Sequence, residues 1–277
     1  MSEAVRAEPP GARQAPSEAM PQAPLAAGDA PPMIDVRNLY RSFNGFAVLK
    51  GINLRMAPGT TTVVLGGSGS GKTVLMKHIM GLFKPDSGEV MVDGENVSVL
   101  SRQELAVFRQ RMGMVFQNAA LFDSMTVGEN VAFPLREHNK ELSEEQIWKK
   151  VKEKLAVVDL VDVEQKYPAE LSGGMRKRVG LARAIIRDPK IVLYDEPTTG
   201  LDPLTTESVD QMILGAREKL KVTSVVISHD IGSAFHIADQ IAMLHHGVIV
   251  AQGTPAELRN CQEPHTKEFL STWFGRV

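Results

Sequence analysis

Eight residues constrain this chain more than any other feature, the run Gly-Gly-Ser-Gly-Ser-Gly-Lys-Thr at 66–73. It follows an apolar stretch at 60–65, typical of a buried strand, and opens a segment with helical spacing at 72–82. Glycines let the backbone approach phosphate oxygens, and a helix N-terminus presents free N–H groups to an anion. Lys72 adds a charge for the β- and γ-phosphates, and the Thr73 hydroxyl suits Mg²⁺. The pattern predicts a loop that binds a nucleoside triphosphate through Gly66, Ser68, Gly69, Ser70, Gly71, Lys72 and Thr73.

Two adjacent carboxylates end a second apolar run, Ile-Val-Leu-Tyr-Asp-Glu at 191–196. At the end of a strand, Asp195 can hold the Mg²⁺ shell, and Glu196 points to the opposite side because side chains alternate along a strand. Glu196 can then polarise a water for attack on the γ-phosphate. Paired acids at a strand end often form only a turn, but the upstream phosphate loop favours catalysis. His229 follows a predicted strand and is a candidate γ-phosphate contact, although a lone histidine there is more often structural.

A second glycine-rich helix start lies at 171–175, Leu-Ser-Gly-Gly-Met, ahead of a predicted helix at 174–187. Ser-Gly-Gly at a helix N-terminus is another anion site. The chain thus carries two phosphate-type sites but a single loop with the lysine. This pattern indicates that the second site serves a nucleotide held by another copy.

Composition excludes several classes of protein. The chain has 277 residues, 43% of them hydrophobic, which is enough to bury a sizeable core. A formal net charge of −2 argues against a nucleic-acid binder, and the single cysteine, Cys261, excludes an internal disulfide. No apolar run approaches the roughly 20 residues that a membrane-spanning helix needs. Residues 1–32 hold seven of the 16 prolines and nine alanines, which predicts a disordered tail.

The pattern along the rest of the chain predicts an α/β fold. Strand-like runs fill 33–66, and 118–170 is predicted to be an all-helical insert with an amphipathic helix at 143–160, capped by Ser143 and Gln146. Further predictions are a hairpin at 86–97, strands at 190–195, 222–228, 240–244 and 248–251, and helices at 101–111, 204–220 and 231–238. Apolar strands that alternate with helices predict a mostly parallel sheet covered on both faces.

Together these residues resemble the nucleotide-binding subunits of ATP-binding-cassette (ABC) transporters, over about 33–253 of the chain. Gln117 fits the Q-loop of that family, Gly200-Leu201-Asp202 fits the D-loop, and 171–175 fits the signature motif. Phe43 lies where the family stacks an aromatic ring on adenine. The order of these motifs along the chain matches the family.

The resemblance implies a P-loop NTPase with a RecA-like α/β core and a mostly parallel sheet, an antiparallel β subdomain and the inserted helical subdomain. Residues 254–277 would form a C-terminal extension. It implies ATP hydrolysis with Mg²⁺, with catalysis by Glu196, His229 and Gln117. The second copy would contact the nucleotide through Ser172, Gly173, Gly174 and Asp202. Mg²⁺ would be ligated by Thr73, Gln117 and Asp195. Two ATPase subunits would meet head to tail, closing on ATP and reopening on hydrolysis.

Two features narrow the resemblance to the branch that powers Mce-protein lipid transport: Met175, where most of the family has glutamine, and the segment 121–137. That branch implies MlaE-like integral membrane permease subunits, docked on the helical insert and the Gln117 region, and an Mce-domain lipid-binding protein. It allows a small STAS-type regulator and places the ATPase on the cytoplasmic face of the inner membrane. Gly67, where proline is common, departs from the family, but the loop binds through its N–H groups.

Other functions stay open on the sequence alone. The ATPase could serve another importer, such as one for amino acids or metals, or act as a mechanical ATPase outside transport. A single phosphate loop and a single signature argue against the translation and repair types, in which two cassettes are fused. For residues 254–277, packing on the chain's own domain is favoured over an arm that reaches the second subunit.

Overall fold

The computed structural model describes residues 31–275, so the predicted tail at 1–32 lies outside the described residues except for Pro31 and Pro32. The strands are β1 (Ile34–Phe43), β2 (Phe46–Met56), β3 (Thr61–Leu65), β4 (Ser87–Val92), β5 (Glu95–Asn96), β6 (Met112–Val115), β7 (Ile191–Asp195), β8 (Thr223–Ser228), β9 (Gln240–His245) and β10 (Val248–Gly253). The helices are α1 (Lys72–Ile79), α2 (Arg102–Arg109), α3 (Val127–His138), α4 (Glu144–Val157), α5 (Gly173–Ile185), α6 (Pro203–Leu220), α7 (Ile231–Ile237), α8 (Pro255–Arg259) and α9 (Pro264–Phe274).

A six-stranded sheet forms the centre of the described chain, in the order β10-β9-β3-β8-β7-β6. Its neighbouring strands run parallel except for β10, which pairs antiparallel with β9. A four-stranded antiparallel sheet has the order β2-β1-β4-β5. The predicted fold class is confirmed: a mostly parallel α/β sheet accompanied by an antiparallel sheet and helices.

The central strands are apolar on both sides, so the large sheet is covered on both faces. Along β3, Val63 and Leu65 pack in a core built with the helices, whereas Val64 packs in a second core with the antiparallel sheet and α1. In the parallel register Leu65 pairs with Ser228, and Asp195 pairs with Ile227. The residues that follow β3, β7 and β8 therefore meet at one edge of the sheet.

Residues 118–170 contain α3, α4 and a short 3₁₀ turn at Pro168–Glu170, and no strand. The predicted amphipathic helix at 143–160 is α4, and its capping box forms as expected between Ser143 and Gln146. Helix α3 was not predicted individually, because Pro134 interrupts its pattern. Strand β6 was also missed, since four residues are too few to show an alternation.

The C-terminal helices α8 and α9 pack on the same chain. Leu258 and Leu270 are buried in the helical core, and the Phe274 ring lies edge-on to Phe235 with 5.1 Å between centroids. Up to residue 275, the structure therefore supports the prediction that this segment packs on the chain's own domain. Within 31–275, no helix combines the length and the apolar character that crossing a bilayer requires.

Candidate active site

The loop at 66–73 leaves the end of β3 and is held between two neighbouring strands. A Cβ at Gly66 would lie 2.3 Å from the carbonyl oxygen of Leu244 in β9. A Cβ at Gly71, where φ is 110°, would lie 2.9 Å from Leu49 Cδ2 in β2. Only glycine fits at both positions, so the neighbours of the loop fix its path.

Helix α1 starts on this loop, and the uncapped N–H groups of its first turn suit an anion. Gly71 at the N-cap supplies no side-chain cap, and the first turn carries no acidic residue. Ser70 Oγ is buried and has no hydrogen-bond partner. Free N–H groups and an unpaired buried hydroxyl at a helix N-terminus suit phosphate oxygens. The residues present therefore fit the predicted phosphate site.

Lys72 is the buried positive charge at this site. Its side chain is 7% exposed, and Nζ lies 3.4 Å from Glu196 Oε1. Nζ also donates hydrogen bonds to the carbonyl oxygens of Gly66, at 2.7 Å, and Gly67, at 3.0 Å. Phosphate oxygens are charged and accept stronger hydrogen bonds than these carbonyl oxygens. We therefore expect the Lys72 ammonium to bind a triphosphate in place of the two carbonyls.

Glu196 follows β7 and joins the phosphate loop to the end of β8. Its Oε1 is the atom near Lys72, and its Oε2 accepts a hydrogen bond from Thr199 Oγ1 at 3.0 Å. His229 Nδ1 lies 2.7 Å from the same Oε2. The Glu196 backbone has φ of 49°, a left-handed conformation that costs a non-glycine residue about 1 kcal/mol or more. The structure thus brings Lys72, Glu196 and His229 together, with the carboxylate held in a strained backbone.

Three oxygen donors suited to Mg²⁺ lie at the same edge of the sheet. Burial and the negative charge of Glu196 raise the pKa of Asp195, with nearby lysines offsetting part of the shift. Thr73 is exposed on the first turn of α1, and Gln117 is exposed two residues beyond β6, the neighbour of β7. Hydroxyl, carboxylate and amide oxygens are the hard ligands that Mg²⁺ prefers, so these residues fit the ion.

The other predicted nucleotide contacts lie in a separate cleft of about 500 Å³ between the starts of α5 and α6. Its lining includes Ser172, Gly173, Gly174, Asp202 and Thr205, and it includes neither Lys72 nor Glu196 nor His229. Ser172 Oγ accepts a hydrogen bond from the Met175 N–H at 3.2 Å and so caps α5. Asp202 caps α6, and its hydrogen bonds with Thr205 lower its pKa. One chain therefore does not bring the two sets of predicted contacts together.

The predicted adenine contact, Phe43, ends β1 and lies among other side chains. Its ring is 5.4 Å from that of Phe83, edge-on, and the Arg41 guanidinium lies 4.7 Å from its centroid. Phe46, directly opposite in the register of the hairpin, is 78% exposed. Phe46 begins β2, the strand that packs against Gly71 of the phosphate loop. Its exposed ring is a second candidate for the adenine contact, which the sequence pattern did not indicate.

Thr199 is a further residue that sequence reasoning missed. It sets the orientation of the Glu196 carboxylate through its hydroxyl, but in the sequence it is one of two threonines in a turn. Nothing in its spacing distinguishes it from Thr198.

A sequence model of the ABC transporter family matches residues 49–199 of the chain. The "Probable ribonucleotide transport ATP-binding protein mkl" of Mycobacterium tuberculosis strain H37Rv is 40% identical over 251 residues, which cover 90% of this chain and 70% of that relative. The "Methionine import ATP-binding protein MetN" of Carboxydothermus hydrogenoformans is 42% identical over 244 residues, 87% of this chain and 72% of the relative. The "Intermembrane phospholipid transport system ATP-binding protein MlaF" of Haemophilus influenzae is 40% identical over 238 residues, 86% and 90%.

Solved structures show the same fold. The cbiO1 protein of Clostridium perfringens, part of the ABC transporter complex cbiONQ, superposes with a TM-score of 0.78 at 30% identity, over 89% of this chain and 97% of that one. The ATP-binding cassette MJ0796, in a dimeric post-hydrolysis state with ADP and Pi, superposes with a TM-score of 0.72 at 32% identity, over 80% and 99%. The chain therefore belongs to the ABC transporter family, as an ATP-binding subunit that hydrolyses ATP to energise a transporter.

Proposed function

We propose that two copies of this chain join head to tail, so that each ATP lies between the phosphate loop of one copy and the start of α5 of the other. The observation that carries this proposal is the separation of the two sets of contacts in one chain. Lys72, Glu196 and His229 surround one helix start, whereas Ser172 and Gly174 line a cleft that contains none of them. A second copy would supply to each site what the first lacks.

In the closed pair the chemistry divides between named groups. Lys72 and the N–H groups of the loop hold the β- and γ-phosphates, and Glu196 polarises the attacking water. His229 donates to the γ-phosphate, and its contact with Glu196 fixes the position of the ring. Thr73, Asp195 and Gln117 would hold Mg²⁺, which supplies charge neutralisation between the phosphates.

We further propose that the transported cargo is a lipid, with phospholipid the first candidate. The match with MlaF takes in 90% of that relative, and that relative's name refers to intermembrane phospholipid transport. Met175 and the segment 121–137 support the same branch. MlaE-like permease subunits and an Mce-domain protein would complete the complex, with a small STAS-type regulator as an optional member. The ATPase would sit at the cytoplasmic face of the inner membrane.

The permease would dock beside Gln117, where two aromatic rings are open to solvent. Phe116 is 43% exposed and Phe122 is 42% exposed, and the Phe122 ring packs on Phe133 of α3. Large apolar side chains exposed on either side of Gln117 in the chain indicate an interaction surface. This surface adjoins the edge of the sheet that carries Asp195, so a docked permease would lie next to the ATP site.

A second candidate function is the supply of energy to a different importer. The relatives named for methionine import and ribonucleotide transport are as similar in sequence as MlaF, at 42% and 40% identity. A solute importer would pair the same ATPase with a different permease and a solute-binding protein. The ATPase chemistry is common to both candidates, so only the partners distinguish them.

The test is to purify the tagged chain with its partners from gently solubilised membranes and to identify proteins and bound lipids by mass spectrometry. A permease with an Mce-type protein and phospholipid supports lipid transport. A permease with a different solute-binding protein contradicts it and supports the second candidate. Phe116→Asp should release the permease, whereas Val99→Asp, at a more exposed apolar residue that follows β5 of the antiparallel sheet, should retain it.

A further inference from the structure

Lys177, on α5, is a buried cation without a carboxylate partner. Its side chain is 7% exposed, and Nζ donates a hydrogen bond to the carbonyl oxygen of Pro197. Burial lowers the pKa of Lys177, and no carboxylate within residues 31–275 opposes that effect. The ammonium is therefore held by a neutral carbonyl in a poorly solvated place.

The carbonyl that Lys177 holds belongs to the segment that carries the catalytic carboxylate. Pro197 directly follows Glu196, and Thr199, two residues further on, donates to the Glu196 carboxylate. The Glu196 N–H donates to Ile227 O at 3.0 Å, which fixes the segment on its other side. A displacement of the Pro197 carbonyl would therefore change the direction of the Glu196 side chain.

The other end of this link is the start of α5. Lys177 lies one turn beyond Gly173. The residues on either side of it, Arg176 and Arg178, also make hydrogen bonds outside the first turn of α5. Arg176 Nη1 donates to Leu171 O at 2.5 Å, and Arg178 Nη2 donates to Ser208 Oγ at 3.0 Å. The first turns of α5 are thus bonded to Leu171 before the helix and to Ser208 of α6, and Lys177 adds a bond to the Pro197 carbonyl.

Stability alone does not account for an ammonium at this position. Removing a charge from water without an opposite charge is unfavourable, and one carbonyl compensates only in part. A neutral side chain of similar length would fill the same space at a lower cost. Lys177 is unfavourable for folding, and it lies between the start of α5 and the Glu196 segment. A role in linking these two parts of the site explains its presence better than a role in stability.

We propose that Lys177 is a positioning residue that couples the start of α5 to the catalytic carboxylate of Glu196. The inference rests on the proposed head-to-tail pair: nucleotide of the other copy, bound at Ser172 and Gly174, sets the position of α5. Lys177 passes that position to the Pro197 carbonyl, and Glu196 turns toward its water only when the second copy is engaged. Hydrolysis is thereby restricted to closed pairs.

The test compares Lys177→Met, which keeps length and removes the donor, with Lys177→Arg, which restores one, in the full chain. Lys177→Met should lower kcat about tenfold or more while KM for ATP stays within about twofold. Its melting temperature should stay unchanged or rise, because the buried charge is gone. Lys177→Arg should recover most of kcat, and Lys152→Met, at an exposed lysine of α4, should match the wild type.

Two results would overturn the proposal. In one, Lys177→Met keeps wild-type kcat; in the other, kcat and melting temperature fall together and Lys177→Arg rescues neither. The proposed pairing is tested separately by ATP-dependent dimerisation of Glu196→Gln. If that variant stays monomeric with ATP, the pairing fails. If it dimerises and adding Lys177→Met leaves the dimer intact, the loss of kcat belongs to Lys177.

Discussion

Two helices of this chain begin with glycine-rich segments, and they differ in how the first turn is satisfied. At α1 no side chain caps the N–H groups, and Lys72 is buried beside Glu196. At α5 the Ser172 hydroxyl caps the helix, the glycines are open, and the nearby carboxylate of Asp202 is engaged in capping α6. The first helix start has the proposed catalytic groups Lys72, Glu196 and His229 around it, whereas the cleft at the second contains none of them.

This difference teaches that anion binding and catalysis are separable properties of a helix N-terminus. Any helix start with free N–H groups attracts phosphate. Hydrolysis also needs a base, a cation and an ordered water. In this chain the proposed base Glu196 and His229 follow β7 and β8, which end beside α1 and its Lys72, whereas Ser172 and Gly174 at the start of α5 line a separate cleft.

The largest expected effect comes from removing the base at the α1 site. Glu196→Gln should lower kcat by about 10²- to 10⁴-fold and leave ATP bound in a stable dimer, because the amide cannot polarise the attacking water. Steady-state hydrolysis and size-exclusion chromatography with ATP measure both effects. Glu153→Gln, at an exposed glutamate of α4, is the matched control. Turnover by Glu196→Gln within about twofold of the wild type would show that the base is another group.

Removing the cation tests whether the α1 site binds by charge or by backbone alone. Lys72→Ala should raise the Kd of ATP about 100-fold, since it deletes charge-assisted hydrogen bonds to phosphate. Titration with a fluorescent ATP analogue gives the value, with Lys149→Ala on the exposed face of α4 as control. Unchanged affinity would remove Lys72 from the phosphate site and leave the two helix starts equivalent.

A charge placed at the second helix start tests the other half of the comparison. A Cβ at Gly174 would lie 3.8 Å from the nearest atom, Thr205 Cγ2, so aspartate fits there, and an acid in the first turn suits the helix. Gly174→Asp should therefore fold normally and bind ATP at its own loop. It should still lose at least about tenfold in turnover, because the carboxylate repels the partner's phosphates. Wild-type turnover would mean that α5 does not meet nucleotide.

The last prediction concerns stability and not activity, at the buried carboxyl of Asp210. Asp210 of α6 accepts a hydrogen bond from Ser233 of α7, and burial raises the pKa of Asp210 to about 6. Between pH 4 and pH 6 the unfolded chain loses this proton before the folded one, so the group destabilises the fold increasingly as pH rises and then levels off. Asp210→Asn should be more stable than the wild type above pH 6, by up to about 3 kcal/mol, and equal to it near pH 4. Urea unfolding across this range checks the curve, and a constant difference would contradict the assignment.

The sequence indicated which residues lie together at the start of α1, because the constraints on them are local. The loop at 66–73 follows directly after one strand, and Asp195 and Glu196 follow directly after another, so spacing alone assigns these residues to strand ends. A parallel sheet then brings strand ends to one edge. The motif at 171–175 also indicated that the start of α5 serves a nucleotide of another copy, but the cleft that it forms with the start of α6 depends on how distant segments pack.

Other details depend on contacts between residues far apart in the chain. The burial of Ser70 and the exposure of Phe46 depend on neighbouring segments, and neither is indicated by its own sequence context. The bond from Lys177 to Pro197 is of the same kind, since a lysine in a basic run predicts a solvated face. Tertiary packing determines these burials, exposures and bonds, and the pattern of residue types along the chain does not predict them.

The central claim, that a complete site needs one half from each of two copies, is tested most directly by mixing two inactive chains. Glu196→Gln damages the first half and Gly174→Asp damages the second. A mixed head-to-tail pair would contain one site with both halves intact. If the two variants are mixed before ATP is added, so that pairs form at random, an equal mixture should recover about a quarter of wild-type ATPase activity, although each variant alone is nearly inactive. If the mixture shows no more activity than the mean of the two variants alone, each chain does not complete the site of the other, and the account is wrong.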